Sequence, residues 1–467
     1  MRFRILGHYF QSSIVYLTLV ELFLFAAAVY GAVWIRFPDL GIEGFELENG
    51  PVAPRATIFA LATFVSFLSL GLYTVRQRAN VAGMGLRVVL GFLASLVASV
   101  LVFYLLPHTN LGRGTLGIAV AISLVAVLGT RAIFSRFVDA QAFKRRILVY
   151  GSGSQAQTFS MLRRRSDRRG FHIVGFVAPP DETLVIEGDT VLEAPDGLKA
   201  LCQQVEVEEV VVALEDRRKR LPVRDLLLCR MAGINITDLV SFMERESGRI
   251  LLDALNPSWM IFGDGFRRDI VRRFTSRGLD FTASLMLVAV TAPIMLITAA
   301  LIWLEDGRKG GGVLYRQTRV GLEDEPFELL KFRSMGINAE VAGAPQWAQK
   351  NDPRVTRIGG FLRKTRIDEL PQLLNVLRGE MSFVGPRPER PHFVEQLEAK
   401  IPYYAQRHSV KPGITGWAQL CYPYGASDED ALQKLQYDLY YVKNNTLLFD
   451  IAILVQTAEV VFLGKGR

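Results

Sequence analysis

Thr365-Arg-Ile-Asp-Glu-Leu-Pro-Gln-Leu-Leu-Asn-Val-Leu-Arg-Gly-Glu-Met-Ser-Phe-Val-Gly-Pro-Arg-Pro-Glu389 is the stretch around which the chain is organised. Two adjacent carboxylates, Asp368 and Glu369, open a segment of helical spacing. The local pattern predicts Asp368 as an N-cap, Pro371 in the first turn where its missing N–H costs little, and Gly379 as the stop. A helix N-terminus concentrates free N–H groups and suits a phosphate. It also keeps an Asp ionised, available as a nucleophile or metal ligand. Glu369 then points about 100° away around the helix axis, placed to hold a metal or handle a proton. Arg363, Lys364 and Arg366 lie beside the pair, and Arg387 follows between Pro386 and Pro388. Acid beside base at this density predicts a phosphorylated, metal-bound substrate. The plainer alternative is a capping Asp beside a solvated Glu. The basic neighbourhood and the membrane setting weigh against it.

That setting is read from the rest of the chain. Its 467 residues suffice for two or three domains. Half are hydrophobic and the mean hydropathy is +0.23, which points to membrane segments. Lys plus Arg outnumber Asp plus Glu by 54 to 46. In a membrane protein such an excess sits on the cytoplasmic side, near anionic lipid or phosphate. No basic-aromatic run dominates, so nucleic acid is not an expected partner. Cys202, Cys229 and Cys421 are scattered and odd in number, which fits neither a disulfide framework nor a metal site. The first apolar run is too long for a cleavable signal, and further runs follow.

Apolar runs at about 13–35, 56–74, 88–106 and 115–134 each approach the length that crosses a bilayer. Arg2 and Arg4 precede the first, and the next loop carries Asp39, Glu43, Glu46 and Glu48. Arg76, Arg78 and Arg87 lie between the second and third runs, Arg113 before the fourth, and Arg136, Lys144, Arg145 and Arg146 after it. The alternation predicts four spans with both ends in the cytoplasm. Glu21, inside the first run, is either a functional charge or the partner of another span.

From Ile147 the pattern alternates strand and helix, with strands expected at Ile147–Gly151, Val174–Val177, Val210–Leu214 and Ile234–Val240 and a helix at Leu221–Met231. This implies a small parallel α/β domain. Gly151, Gly153 and Ala156 resemble a weak dinucleotide fingerprint, with Asp181 as a ribose ligand behind Pro179-Pro180. The alternative is a Rossmann-like domain used for packing or dimerisation, and no bound NAD is expected.

A fifth apolar run, Phe281–Leu304, differs from the others. Pro293 removes a helical hydrogen bond at its middle, and Thr291 is expected to satisfy freed backbone groups. Arg272, Arg273 and Arg277 precede it; Arg308 and Lys309 follow. A helix that bends and returns keeps both basic flanks on one face, whereas a kinked span would not. The closing run, Leu447–Leu463, reads as an interfacial helix because a span would put Lys465 and Arg467 outside.

Six motifs stand in order behind the bent helix: Lys331-Phe-Arg333-Ser-Met, Asp352-Pro-Arg354, Arg366-Ile-Asp-Glu-Leu-Pro-Gln-Leu, Asn375-Val-Leu-Arg-Gly-Glu-Met-Ser, Val384-Gly-Pro-Arg387-Pro-Glu and Lys411-Pro-Gly-Ile-Thr-Gly-Trp. With them, the stretch from about Arg272 to Arg467 resembles the bacterial sugar transferases. These are monotopic phosphoglycosyl transferases, which move a sugar 1-phosphate from a UDP-sugar to undecaprenyl phosphate. The spans and the α/β insert match the larger members that initiate exopolysaccharide, capsule or O-antigen synthesis.

The resemblance implies that Asp368 attacks the β-phosphate, releasing UMP, and that undecaprenyl phosphate then takes the phosphosugar from the aspartate. It further implies that Asp368 and Glu369 hold Mg²⁺, that Glu369 shares in proton handling, and that Lys331, Arg333, Arg354, Arg366 and Arg387 hold phosphates. Ala292 stands where the family often has a Ser before the kink proline.

The expected architecture is a membrane protein in four parts. These are four transmembrane helices over 1–140, a Rossmann-like α/β domain over 141–245, a connector over 246–275 and an α-rich mixed monotopic catalytic domain over 276–467, with a re-entrant helix at 279–305. The expected place is the bacterial inner membrane, catalytic domain on the cytoplasmic face, as a homodimer in contact with lipid. A membrane-bound nucleotide-sugar dehydratase or epimerase is the alternative enzyme, but no Tyr-x-x-x-Lys pair is present. A non-catalytic membrane scaffold is the third reading, against which the intact Asp-Glu pair argues.

Overall fold

The computed structural model describes residues 2–5, 8–73, 81–138, 144–159, 170–179, 185, 191–215, 221–255, 259–260, 265–266, 270–305, 311–336, 339, 354–422, 425 and 427–462. Arg76, Arg78, Asp181, Arg308, Lys309, Asp352, Lys465 and Arg467, singled out above, lie outside them. The chain divides into two compact units, Met1–Gly248 and Arg249–Arg467.

The first unit opens with a hairpin, β1 (Arg2–Ile5) and β2 (His8–Gln11). Helices α1 (Ser12–Arg36), α2 (Gly41–Asn49), α3 (Val52–Ser69), α4 (Val81–Leu105) and α5 (Arg113–Val138) follow. All but α2 are long and apolar enough to cross a membrane. Phe25, Phe67 and Phe92 from α1, α3 and α4 meet edge to face, with centroids 5.1–6.2 Å apart. Such pairs add to the packing of large apolar surfaces. Glu21 is fully buried on α1 and takes a two-pronged bond from Arg131 on α5, at 2.8 and 3.0 Å. Arg131 also donates to the carbonyl of Leu72 and lies against the rings of Phe67 and Tyr73. The charge of Glu21 is therefore paired between two of the apolar helices.

The unit closes with β3 (Arg145–Tyr150), α6 (Ser154–Gln157), β4 (Phe171–Val177), α7 (Leu198–Gln204), β5 (Glu209–Val212), α8 (Val223–Met231), β6 (Asn235–Asp238) and α9 (Leu239–Ser247). The strands are all parallel, in the order β4-β3-β5-β6. Ile147–Val149 and Val210–Ala213 are buried on both faces, as a covered parallel sheet requires. The last strand is shorter than the sequence suggests. Asp238 accepts a bond from the Ser241 N–H, so Leu239 and Val240 begin a capped helix instead.

The second unit begins with α10 (Ile270–Glu305), a helix of 36 residues with Pro293 inside it. At 1.5 Å per residue a straight helix of that length would run about 54 Å. Thr291 donates to the carbonyl of Leu287, not to Ala289, whose partner the proline removes. Such back-bonding also bends helices. Both ends of α10 pack on the same unit. Arg272 pairs with Asp450, and Arg277 donates to the carbonyls of Val376 and Leu377. Beyond the proline, Ile302 packs with Phe332 and Leu362.

The hairpin β7 (Leu314–Val320) and β8 (Pro326–Phe332) comes next, then α11 (Arg357–Thr365), α12 (Gln372–Arg378), β9 (Ser382–Val384), α13 (Pro391–Lys400), β10 (Gly413–Thr415), α14 (Trp417–Cys421), α15 (Asp428–Asn444) and α16 (Leu447–Phe462). β9 and β10 are parallel. Val376, Met381, Phe383, Trp417, Tyr441 and Ile453 form the main core beneath them.

Candidate active site

Three elements deliver the sequence-predicted residues. The end of β8 carries Lys331, and Arg333 follows it. Helix α11 starts on Thr356, whose hydroxyl accepts the Gly359 N–H, and ends at Arg366 in the left-handed region (φ 60°). That turn feeds a single 3-10 turn, Ile367–Glu369, holding both carboxylates. Pro371, without an N–H, separates this turn from α12, and Gly379 ends α12 at φ 86°.

Asp368 is therefore not the N-cap of a helix, contrary to the sequence reading. It sits inside a one-turn segment, and its buried Oδ1 has no hydrogen-bond partner among the described residues. Among the described residues no N–H group of the kind expected to keep it ionised bonds this oxygen. Burial pushes its carboxyl up, the charge of Glu369 adds to this, and Lys331, Arg366 and Arg363 oppose it.

Glu369 has the opposite fate. Its Oε1 lies 3.4 Å from Arg387 and 3.5 Å from both Lys331 and Arg366. Burial works against its charge, but Arg387, Lys331 and Arg366 outweigh burial and hold it at about 2. The Lys331 ammonium is brought down to about 8 by burial and then by Arg387, against the pull of Glu369 and Asp368. Adjacent carboxyls driven apart in this way mark a division of labour.

The structure thus gathers Lys331, Arg366 and Arg387 on Glu369, beside Asp368. A buried Nη1 of Arg333 has no acceptor among the described residues. Arg354 donates to the carbonyl of Ala339, at 2.9 Å, in the segment between β8 and α11.

Two supporting residues carried no predicted role. Asn375 is fully buried on α12. It accepts from the Leu330 N–H at 3.0 Å and donates to Glu328 O and Glu380 at 2.7 Å, fixing α12 to the strand that carries Lys331. Asp280 on α10 accepts from Ser382 Oγ and the Phe383 N–H, at 3.1 and 3.2 Å, fixing β9 to the apolar helix. Asn375 stands inside a quoted motif. Asp280 gives no local signal, because its partners are a hundred residues on.

In the α/β domain, Gly151 adopts φ 136°, and a Cβ there would overlap the Ala213 carbonyl. Its glycine is explained by strand packing. Where a fingerprint would present N–H groups to a pyrophosphate, the Ser154 N–H and Oγ both donate to Glu215, at 2.8 and 2.5 Å.

Residues 271–464 match the family described as bacterial sugar transferase, and residues 68–227 match a CoA-binding domain. A UDP-N-acetylgalactosamine-undecaprenyl-phosphate N-acetylgalactosaminephosphotransferase of Aeromonas hydrophila is 41% identical over 52% of this chain and 56% of its own length. A UDP-glucose:undecaprenyl-phosphate glucose-1-phosphate transferase of Escherichia coli (strain K12) is 40% identical over 42% of each chain. One of the same description from Xanthomonas campestris pv. campestris is 31% identical over 75% of this chain and 74% of its own. The match thus spans about half the length of the first two and three quarters of the third.

Proposed function

We propose, for a chain that belongs to the bacterial sugar transferase family, that it transfers a sugar 1-phosphate from a UDP-sugar to undecaprenyl phosphate at the cytoplasmic face of a bacterial membrane. The observation that carries this reading is the buried Oδ1 of Asp368, unpartnered among the described residues, beside three cations gathered on Glu369.

In the first step the Asp368 carboxylate attacks the β-phosphorus of the UDP-sugar. The bond from that phosphorus to the bridging oxygen breaks, and UMP leaves with the electron pair. The sugar phosphate stays on the aspartate as an acyl phosphate, a mixed anhydride. In the second step an oxygen of undecaprenyl phosphate attacks the same phosphorus and returns the carboxylate. Carboxylates serve as nucleophiles toward phosphoryl groups. A buried carboxylate without hydrogen bonds is poorly stabilised in its ground state and hence reactive. Arg387, Arg366 and Lys331 neutralise charge on the transferring phosphoryl, with Arg333 a further donor. Arg354 is read as a further phosphate ligand.

Asp368 Oδ1 and the Glu369 carboxylate are hard oxygen donors, and the first has no partner among the described residues, so the pair fits Mg²⁺. The ion would supply further charge neutralisation. A carboxyl held at about 2 is a weak base at neutral pH, so Glu369 anchors the cations and does not carry protons.

Helix α10 is read as re-entrant. A spanning helix would place its two ends on opposite faces, yet Arg272 and Ile302 both pack on this one unit. The dyad then lies at the lipid surface, within reach of a soluble sugar nucleotide and a membrane-bound acceptor. The reading expects four spans before it.

The test is incubation of the purified membrane protein with Mg²⁺, undecaprenyl phosphate and separate UDP-glucose, UDP-galactose and UDP-N-acetylgalactosamine. UMP release dependent on one of them is expected; UDP as the released nucleotide would overturn the reaction.

A further inference from the structure

Arg387 reaches Glu369 from a backbone held carbonyl by carbonyl. Tyr441 donates to Val384 O at 3.1 Å and the Gly413 N–H to Pro386 O at 3.0 Å. Arg407 Nη2 donates to Arg387 O at 3.0 Å, Arg319 Nη1 to Pro388 O at 2.9 Å, and the Val320 N–H to Glu389 O at 2.9 Å. The five donors come from β7, from Arg407, from β10 and from α15, and they converge on one turn.

Arg407 is the deepest-placed arginine of the set, at 6% exposure. Its Nη1 donates to Tyr404 Oη at 2.6 Å, its guanidinium stacks 5.1 Å from that ring, and Asp438 Oδ2 lies 2.8 Å from Nη2. Asp438, on α15, is 2% exposed. Burying two charges is costly, and such a pair is weak evidence for stability. What the pair does supply is an oriented fork of donors, one of them aimed at the carbonyl of Arg387. The planar guanidinium can serve a phenol, a carboxylate and a carbonyl together; an ammonium in the same place cannot hold that geometry.

We propose that Arg407, held by Asp438 and Tyr404, is a positioning residue that sets the guanidinium of Arg387 against Glu369 and the substrate diphosphate. This rests on the reading of Arg387 as a substrate-binding group.

The test is a double-mutant cycle on UMP release, with Arg407→Lys made in the native and the Arg387→Lys backgrounds. In the native background kcat/KM should fall roughly 10- to 100-fold, the scale of a small misplacement in a transferring site. In the Arg387→Lys background the same change should cost less than about threefold, because coupled residues are not additive. An equal loss in both backgrounds, or no loss in the first, overturns the proposal. If Arg407→Lys does not fold, Tyr404→Phe carries the same cycle with a smaller loss, about threefold, abolished by Arg387→Lys. UMP binding is measured alongside. A native protein that neither binds nor releases UMP ends the functional reading and this proposal with it. A native protein that turns over while the two changes add ends only the positioning role.

Discussion

Glu369 Oε1 lies 3.4 Å from Arg387, while its neighbour Asp368 keeps a buried carboxyl oxygen with no hydrogen-bond partner among the described residues. Two consecutive residues thus hold one carboxylate gripped by cations and one with an oxygen left unbonded among the described residues.

Asp368→Asn should therefore remove UMP release by at least about 10³-fold, the scale seen when a covalent nucleophile is lost. The variant should fold as well as the native protein, because burial already disfavours this charge. Retained single-turnover UMP release in rapid-quench assays would contradict the nucleophile assignment.

Lys331 provides a pH signature. Its ammonium titrates at about 8 in the folded protein, below the ordinary lysine value, so the folded state binds this proton less tightly than the unfolded chain does. Stability should rise with pH from about 8 into the ordinary lysine range, as the burial cost is relieved. Substrate binding runs the other way, and kcat/KM should fall above about pH 8 as the phosphate-binding charge is lost. Arg stays charged there, so Lys331→Arg should flatten that limb. A native pH profile level through the alkaline range counts against Lys331 as a phosphate ligand.

Glu21→Gln should destabilise the helical bundle by about 3–5 kcal/mol, because Arg131 is left as an unpaired buried charge. A thermal melt in detergent reads this. UMP release per folded molecule should stay unchanged, which separates a structural pair from a functional intramembrane charge.

The topology of α10 can be read by labelling. Phe274→Cys and Glu305→Cys stand on either side of Pro293, near the two ends of the helix. A membrane-impermeant thiol reagent should reach both from the cytoplasmic side. Labelling from opposite sides would show a spanning helix.

Gly385→Ala should lower activity through the backbone. A Cβ there would overlap the Lys411 carbonyl oxygen and the Gly413 N–H, where β9 meets β10. The turn carrying Arg387 would shift, and UMP release should fall by about two orders of magnitude, the scale of a small misplacement. Native turnover in this variant would show that the β9–β10 contact does not set the site.

Much of this was legible in the chain. The apolar runs mark the helices of the bundle because length and hydropathy are local properties. The parallel sheet follows from branched runs such as Ile147–Val149 and Val210–Val212. The dyad, its basic neighbours and Gly379 as a helix stop are likewise read in sequence. Three details were not. The end of β6 depended on one capping bond from Asp238, and the place of Asp368 depended on where Pro371 breaks the segment. The freed carbonyl at Pro293 was assigned to Thr291, which bonds Leu287 instead.

What the sequence determined by itself is the set of groups: two carboxylates, their cations, and a long apolar helix with a proline inside it. What only the tertiary structure decided is their charge and aim. Glu369 is driven down by Lys331 and Arg387, which stand 38 residues before and 18 residues after it (369 − 331 and 387 − 369), while Asp368 is driven up by burial. Arg407 holds the Arg387 carbonyl from 20 residues on, and Arg319 holds the Pro388 carbonyl from 69 residues before. Electrostatic interaction depends on separation in space and on exclusion of water, and neither is a property of neighbouring residues in a chain.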